Sequence, residues 1–562
     1  MRSKAIIALL CIFAYTHASA PFVQDIGGSL AFQGQDIIGG AAVIFKPPKR
    51  VKDLIGNAAA MMATKRPARS SRPTEVARNT ARPRPPTTPT DTTTAGERAE
   101  ALKTQGNTYY DKGQYAQALD AYQNALKLSP RDAESQAAIG DTNITLGRFA
   151  EAAAAYEQTV RLEPDNAAAY SNLGYAYDKL GKVPESITAL KNAVRLKADD
   201  AVAYNNLGAS LYKAGRYQEA LDAFNNAVRL SPNDADALNN LGAVLYVLEQ
   251  YPRAVDNFQK AVAAKPDSAD AHYNLGNAYY MTGKQREAVA AYRRAIQLRS
   301  DYVEAHTNLG SLLIALGDLR NAISELQESI RLRASNPVAH NNLGYAYVKL
   351  GETLDRAAAN QYLQQAVAEY KEALRLKPDY VKAQNNLGAA YNKLNQYREA
   401  LEVLRRATRA KPDFPEAHYN LGTALYNLGQ FKEAVAEFQQ TVRLKSDHAD
   451  AYNSLGSALY KDLQFEPAIE AYKKALALKP ANAETQNNLG TVYFRTKRYK
   501  EAAASFKEAV RLKPDYGEAH FNLALTYIAL KDRKAALDEY NRLKKVDPKL
   551  AEDFFQRYMK EK

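Results

Sequence analysis

Tryptophan is absent from the 562 residues, and cysteine occurs once, at Cys11. One thiol excludes an internal disulfide framework and a cysteine-ligated metal centre. A His-Glu-x-x-His motif is missing, and so are Gly-rich phosphate loops. Gly27-Gly28-Ser29-Leu30-Ala31 only faintly approaches a nucleophile elbow, which needs a strand-to-helix turn in an α/β sheet. Acidic residues are plentiful but recur at a fixed period, with no convergent pair to act as acid and base. The expectation is a chain without catalytic residues, cofactor or metal.

A charge excess of one sign is also lacking over most of the length. The formal net charge is +13, but residues 1–96 hold 13 Lys and Arg against 5 Asp and Glu, and the rest is nearly balanced. Phosphate binding needs a one-signed field, so nucleic acid is not an expected partner.

The first twenty residues read as a secretory signal. Arg2 and Lys4 precede the apolar stretch Ala5 to Ala14, and small residues follow. The stretch is too short for a stable bilayer span. Cleavage after Ala18 is preferred, because Pro21 would obstruct a cut after Ala20; a retained anchor is the alternative. Residues 21–45 are apolar and Gly-rich, either a loose segment or, over Ile37 to Phe45, a strand able to add to a partner's sheet edge. Residues 46–98 turn basic and then Pro/Thr-rich, a composition that cannot bury a core and reads as a disordered, extended arm. Its basic half could touch an anionic envelope surface.

What is present is a period. Gly recurs every 34 residues from Gly106 to Gly344, and thirteen units of that length fill residues 99–550 once a ten-residue insertion at 352–361 is allowed. Position 8 is Gly in every unit but the last, where Ala524 stands; position 20 is Ala except for Ser186; position 24 is Tyr, Phe or Leu. Small residues at 8 and 20 let two helices approach, and large ones at 7, 11 and 24 fill the space between them. Pro closes most units, as at Pro130, Pro266 and Pro514, and stops the second helix.

Asn274-Leu275-Gly276 with Tyr279, Ala288, Tyr292 and Ala295 is close to the tetratricopeptide repeat consensus, which the chain resembles over about four fifths of its length. The resemblance implies an all-α solenoid: a right-handed superhelix of about thirteen hairpins whose first helices line a concave groove. Such units cannot bury their faces alone, so the ends need caps, and residues 551–562, with Phe554, Phe555 and Tyr558, read as a capping helix. The inserted residues include Ala357-Ala358-Ala359 and favour helix, which would lengthen the second helix of that unit by roughly 15 Å.

Position 6 is Asn in ten units: Asn172, Asn206, Asn240, Asn274, Asn308, Asn342, Asn386, Asn420, Asn488 and Asn522. Neutral amides donate and accept, so a ladder of them could hold an extended peptide by its backbone. In this the chain is similar to the repeat region of O-linked N-acetylglucosamine transferases, without their transferase domain. The alternative is that these Asn serve the repeat's stability. Position 12 adds Tyr212, Tyr246, Tyr280, Tyr426, Tyr460 and Phe494, broad apolar surfaces that for the tyrosines carry a polar handle. The family's carboxylate clamp is matched by Lys103 and Asn107 but broken by Ala138, Ala168 and Asn172, which disfavours a chaperone-tail receptor. Five histidines (His272, His306, His340, His418 and His520) share position 4 and read as packing residues; at one per hairpin they are too far apart to ligate one metal.

The expected function is a protein-interaction scaffold, secreted or periplasmic, that binds polypeptide segments in the groove. The competing readings are an envelope-tethered spacer held by the basic arm and a scaffold of a glycan-modifying assembly.

Overall fold

The computed structural model describes residues 94–559. The signal, the apolar segment at 21–45 and the arm as far as residue 93 lie outside the described residues, as do 560–562. The described residues divide into two compact units, with the boundary in the chain between Leu309 and Gly310. Both are built the same way, from helical hairpins stacked in chain order, and no strand occurs among the described residues. The 27 described helices make thirteen hairpins and one final helix. None is long and apolar enough to cross a membrane.

The repeat chemistry sets the boundaries. A capping box opens the array: Thr94 Oγ1 accepts from Glu97 N–H, and Glu97 Oε2 accepts from Thr94 N–H. Seven of the later first helices are capped by the side chain at position 34, as where Asp200 Oδ1 accepts from Ala203 N–H at 2.9 Å. Inside each hairpin the contact foreseen between positions 8 and 24 is close. A Cβ on Gly276 would fall 2.7 Å from Tyr292 Cε1, well inside contact distance, so only glycine lets the two helices meet there. Ala524 breaks this rule in the last hairpin. There Tyr540, at position 24, stacks on Phe554 at a ring separation of 6.1 Å, and the final helix Pro548–Tyr558 covers that end with Phe554 fully buried.

The insertion is less helical than expected. Helix Pro337–Gly351 runs on, the chain turns at 352–355, and Asp355 Oδ1 then accepts from Ala357 N–H and Ala358 N–H to start helix Arg356–Leu376. A helix cannot continue back through its own N-cap, so the second helix has 21 residues rather than the usual 14, an extension of roughly 10 Å. Glu352, the first inserted residue, ties the turn into the stack by binding Lys349 and Lys393, each at 2.7 Å. Burial opposes its charge, but the two ammoniums outweigh that and hold its carboxyl below the usual range.

Candidate functional site

The first-helix face is the surface on which the peptide ladder was expected. Most of its position-6 amides are buried: Asn172, Asn206, Asn240, Asn308, Asn342, Asn386, Asn420 and Asn488. Seven of them, all but Asn206, donate Nδ2 into the preceding hairpin. Asn240 donates to Asn205 Oδ1 at 2.9 Å, Asn386 to Asn341 Oδ1 at 3.0 Å, Asn420 to Asn385 Oδ1 at 2.9 Å and Asn488 to Asn453 Oδ1 at 3.3 Å. Position 9 also accepts: Asn172 donates to Asp141 Oδ1, Asn342 to Ser311 Oγ, and Asn308 to Asn277 Oδ1 together with the position-5 hydroxyl of Tyr273. This is an inter-hairpin zipper. A peptide cannot reach amides at this depth, so the buried members do not fit a peptide-contacting role.

The position-12 aromatics are held in a second device. Tyr212, Tyr246, Tyr426, Tyr460 and Phe494 meet the position-17 rings Tyr217, Tyr251, Phe431, Phe465 and Tyr499, edge-on or tilted, at centroid distances of 5.2 to 5.9 Å. These pairs clamp the turn between the helices of one hairpin. Of the position-12 rings in these pairs all but Phe494 are buried, and burial pushes the phenols of Tyr212 and Tyr246 well above their ordinary range. The spacing of five residues across the turn is visible in the sequence.

Four of the sixteen expected groove residues stay half-exposed: Asn274, Asn522, Tyr280 and Phe494. The reason is plain for Tyr280, since Gln285 stands where an aromatic clamp would sit. Asn274 donates Nδ2 to Asn239 Oδ1 and Asn522 donates Nδ2 to Asn487 Oδ1. Asn274 and Tyr280 lie on one helix, Ala269–Met281, six residues apart.

Charged groups along the same helices are largely matched within the fold. Lys103, the first residue of the expected clamp, is buried against Glu134 at 2.6 Å, Glu100 at 2.8 Å and Asp132 at 3.8 Å. Burial alone would lower its ammonium, but the carboxylates hold it above its usual range, and a partner's carboxylate would have to displace them. Lys213 is bound by both oxygens of buried Asp178 at 2.6 and 2.7 Å. Asp270 takes Arg299 at 2.9 Å and the Tyr302 hydroxyl at 3.0 Å.

The position-4 histidines bridge neighbouring hairpins. Nε2 of His272, His306, His340, His418 and His520 lies 2.9 to 3.1 Å from the backbone carbonyl six residues earlier. Nδ1 of His340 and His418 also meets Glu369 and Glu437, each at 2.6 Å, and His520 Nδ1 meets Glu539. No group of three or more His, Cys, Asp or Glu among the described residues could hold a metal ion.

Family models agree with this hairpin geometry. Residues 56–306 match the family model of the cilia and flagella-associated protein 70 C-terminal domain. Tetratricopeptide repeat models match 310–351, 358–395, 390–429, 419–483, 453–516 and 496–553. No curated protein matches. Among solved structures, the APC/C hetero-tetramer Cut9–Hcn1 is similar at 14% identity and a TM-score of 0.39, over 82% of this chain and 96% of that one. Yeast Tom70 gives 18% identity and a TM-score of 0.32 over 82% and 99%. YrrB, a repeat protein with an unusual peptide-binding site, gives 21% and 0.30 over 33% and 97%. With the repeat models running through residues 310–553 and the same hairpin built thirteen times, the chain belongs to the tetratricopeptide repeat family.

Proposed function

We propose that the chain is a non-catalytic scaffold that holds polypeptide segments of partner proteins against its first helices, within an extracytoplasmic complex. The observation that carries this reading is the half-exposed pair on helix Ala269–Met281. Asn274 and Tyr280 lie on one first helix, in a hairpin that lacks the aromatic clamp found in the hairpin before it. A part-exposed amide and a part-exposed phenol on one helix suit an extended backbone and a flanking apolar side chain. Asn522 and Phe494 extend the same chemistry in the other unit. The extracytoplasmic location rests on the basic start, apolar stretch and small residues of the first twenty positions.

A photo-crosslinking amino acid at position 280 tests the reading, with position 297 on a second helix as control. The proposal expects discrete polypeptide adducts from position 280 in the native host and none of the same mass from position 297. Identical adducts from both positions would overturn it. Sequencing the N-terminus of the mature protein tests the location: a start at residue 19 supports export, and an intact Met1 on protein in the cytoplasmic fraction contradicts it.

A further inference from the structure

The last two hairpins form an open cavity of about 570 Å³, apart from the surface just described. Helices Tyr499–Leu512, Gly517–Ala529 and Arg533–Val546 contribute its walls. Part of the lining is apolar, from Val510, Leu523 and Val546. Four cations complete it, Lys507 and Arg511 from one second helix and Arg542 and Lys545 from the next.

The charges of this lining do not cancel. Its one carboxylate, Glu539, is 3% exposed and already takes His520 Nδ1 together with Arg542 at 3.2 Å. Arg511 is engaged by Glu508 through two bonds of 2.7 and 2.6 Å. Lys507 lies 5.5 Å from the Tyr527 ring centroid, a contact that steadies an ammonium against the wall without neutralising it. Neither Lys507 nor Lys545 meets a carboxylate among the described residues. Two unmatched ammoniums beside apolar side chains, in a cavity within the size range of small-ligand sites, have a definite chemical complement.

We propose that this cavity binds an organic anion, its phosphate or carboxylate between Lys507 and Lys545 and its apolar part on Val510, Leu523 and Val546. The recognised chemistry is a charged head joined to an apolar body, whether that body is a free solute or a lipid. Nothing in this site depends on the peptide-holding role of the first-helix face.

Calorimetric titration of the full chain with hexyl phosphate tests it, beside hexan-1-ol, inorganic phosphate and the variant Lys507→Gln/Lys545→Gln. The expected result is one saturable site for hexyl phosphate, tighter than for either half-probe and weakened at least about tenfold in the variant. Circular dichroism should be unchanged, since both lysines are exposed. A control, Lys544→Gln/Lys549→Gln, removes the same charge from neighbouring positions and should bind as the wild type does. Absence of a saturable site, or equal weakening in both double variants, overturns the proposal. Co-sedimentation with phosphatidylcholine vesicles containing phosphatidic acid separates the sources: capture lost in the Lys507/Lys545 variant assigns the head group to a lipid, and hexyl phosphate binding without capture assigns it to a solute.

Discussion

The Tyr292 hydroxyl donates to Asn277 Oδ1 at 2.7 Å in the buried seam of its hairpin. Asn277 in turn accepts from Asn308 Nδ2 of the next hairpin at 3.1 Å, so one acceptor joins the inside of a hairpin to its neighbour. The relation recurs between positions 24 and 9. Tyr122 donates to Asn107 Oδ1, Tyr156 to Asp141 Oδ1, and Tyr472 meets Ser457. Where position 24 is Phe224 or Phe258, position 9 is Ala209 or Ala243. Tyr370 departs from the pattern: its hydroxyl is buried with no hydrogen-bond partner.

That difference predicts opposite outcomes for one chemical change. Tyr292→Phe removes a made hydrogen bond and leaves Asn277 with one donor fewer, which costs about 1–2 kcal/mol. Tyr370→Phe removes a hydroxyl that burial penalises, so stability stays level or rises. Thermal unfolding midpoints compare the two. An equal fall in both would contradict the assignment.

Leu463 is the second case. It occupies the left-handed region at φ 62° and is 70% exposed, at the turn position where most hairpins carry glycine. Leu463→Gly relieves a conformation that a branched-chain residue adopts poorly, and it removes exposed apolar surface. The expected gain is about 0.5–1 kcal/mol, with Gly283→Ala, at φ 77°, losing a similar amount. Both are read from the same unfolding midpoints, and a destabilised Leu463→Gly would contradict the argument.

The three histidine–glutamate pairs make stability depend on pH. Burial pulls the imidazoles of His340 and His418 down, but hydrogen bonds to Glu369 and Glu437 carry both above the ordinary range; at His520 the bond to Glu539 is itself the leading cause. A group raised on folding adds stability in full below its unfolded pKa of about 6.5, and that stability is lost as pH rises through the folded value. The wild type should therefore lead His340→Gln/His418→Gln/His520→Gln most at pH values below about 6 and lose that lead toward pH 8. His272 is lowered by burial, so His272→Gln should show the reverse trend. Glu518, pushed up to about 7 by burial, acts in the same direction as the pairs but is common to wild type and variants. A lead that grows with pH would contradict the sign.

The hairpins were legible in the sequence because the contact between positions 8 and 24 leaves a strong size signature: glycine or alanine against a ring or leucine. The role of position 6 was not legible from that position alone. Asn240 and Asn205 lie 35 residues apart, so their bond depends on how successive hairpins stack. A signal was present in the doublets Asn205-Asn206, Asn239-Asn240, Asn341-Asn342, Asn385-Asn386 and Asn487-Asn488. Each doublet places an acceptor at position 5 beside a donor at position 6, as a repeating inter-hairpin bond requires. The exposure of Tyr280 was likewise readable from Gln285, five residues on, once the ring pairs at positions 12 and 17 are recognised.

The variant Asn240→Ala/Asn386→Ala/Asn420→Ala tests the zipper most directly, with unfolding and partner capture measured on the same preparation. All three amides are buried, and each site should lose about 1–3 kcal/mol as a neighbour's polar group is left without its partner. The account predicts a clearly lower unfolding midpoint and, at temperatures where the variant is folded, the same crosslinked partners as the wild type. An unchanged midpoint with loss of those partners would contradict it and return the amides to the peptide.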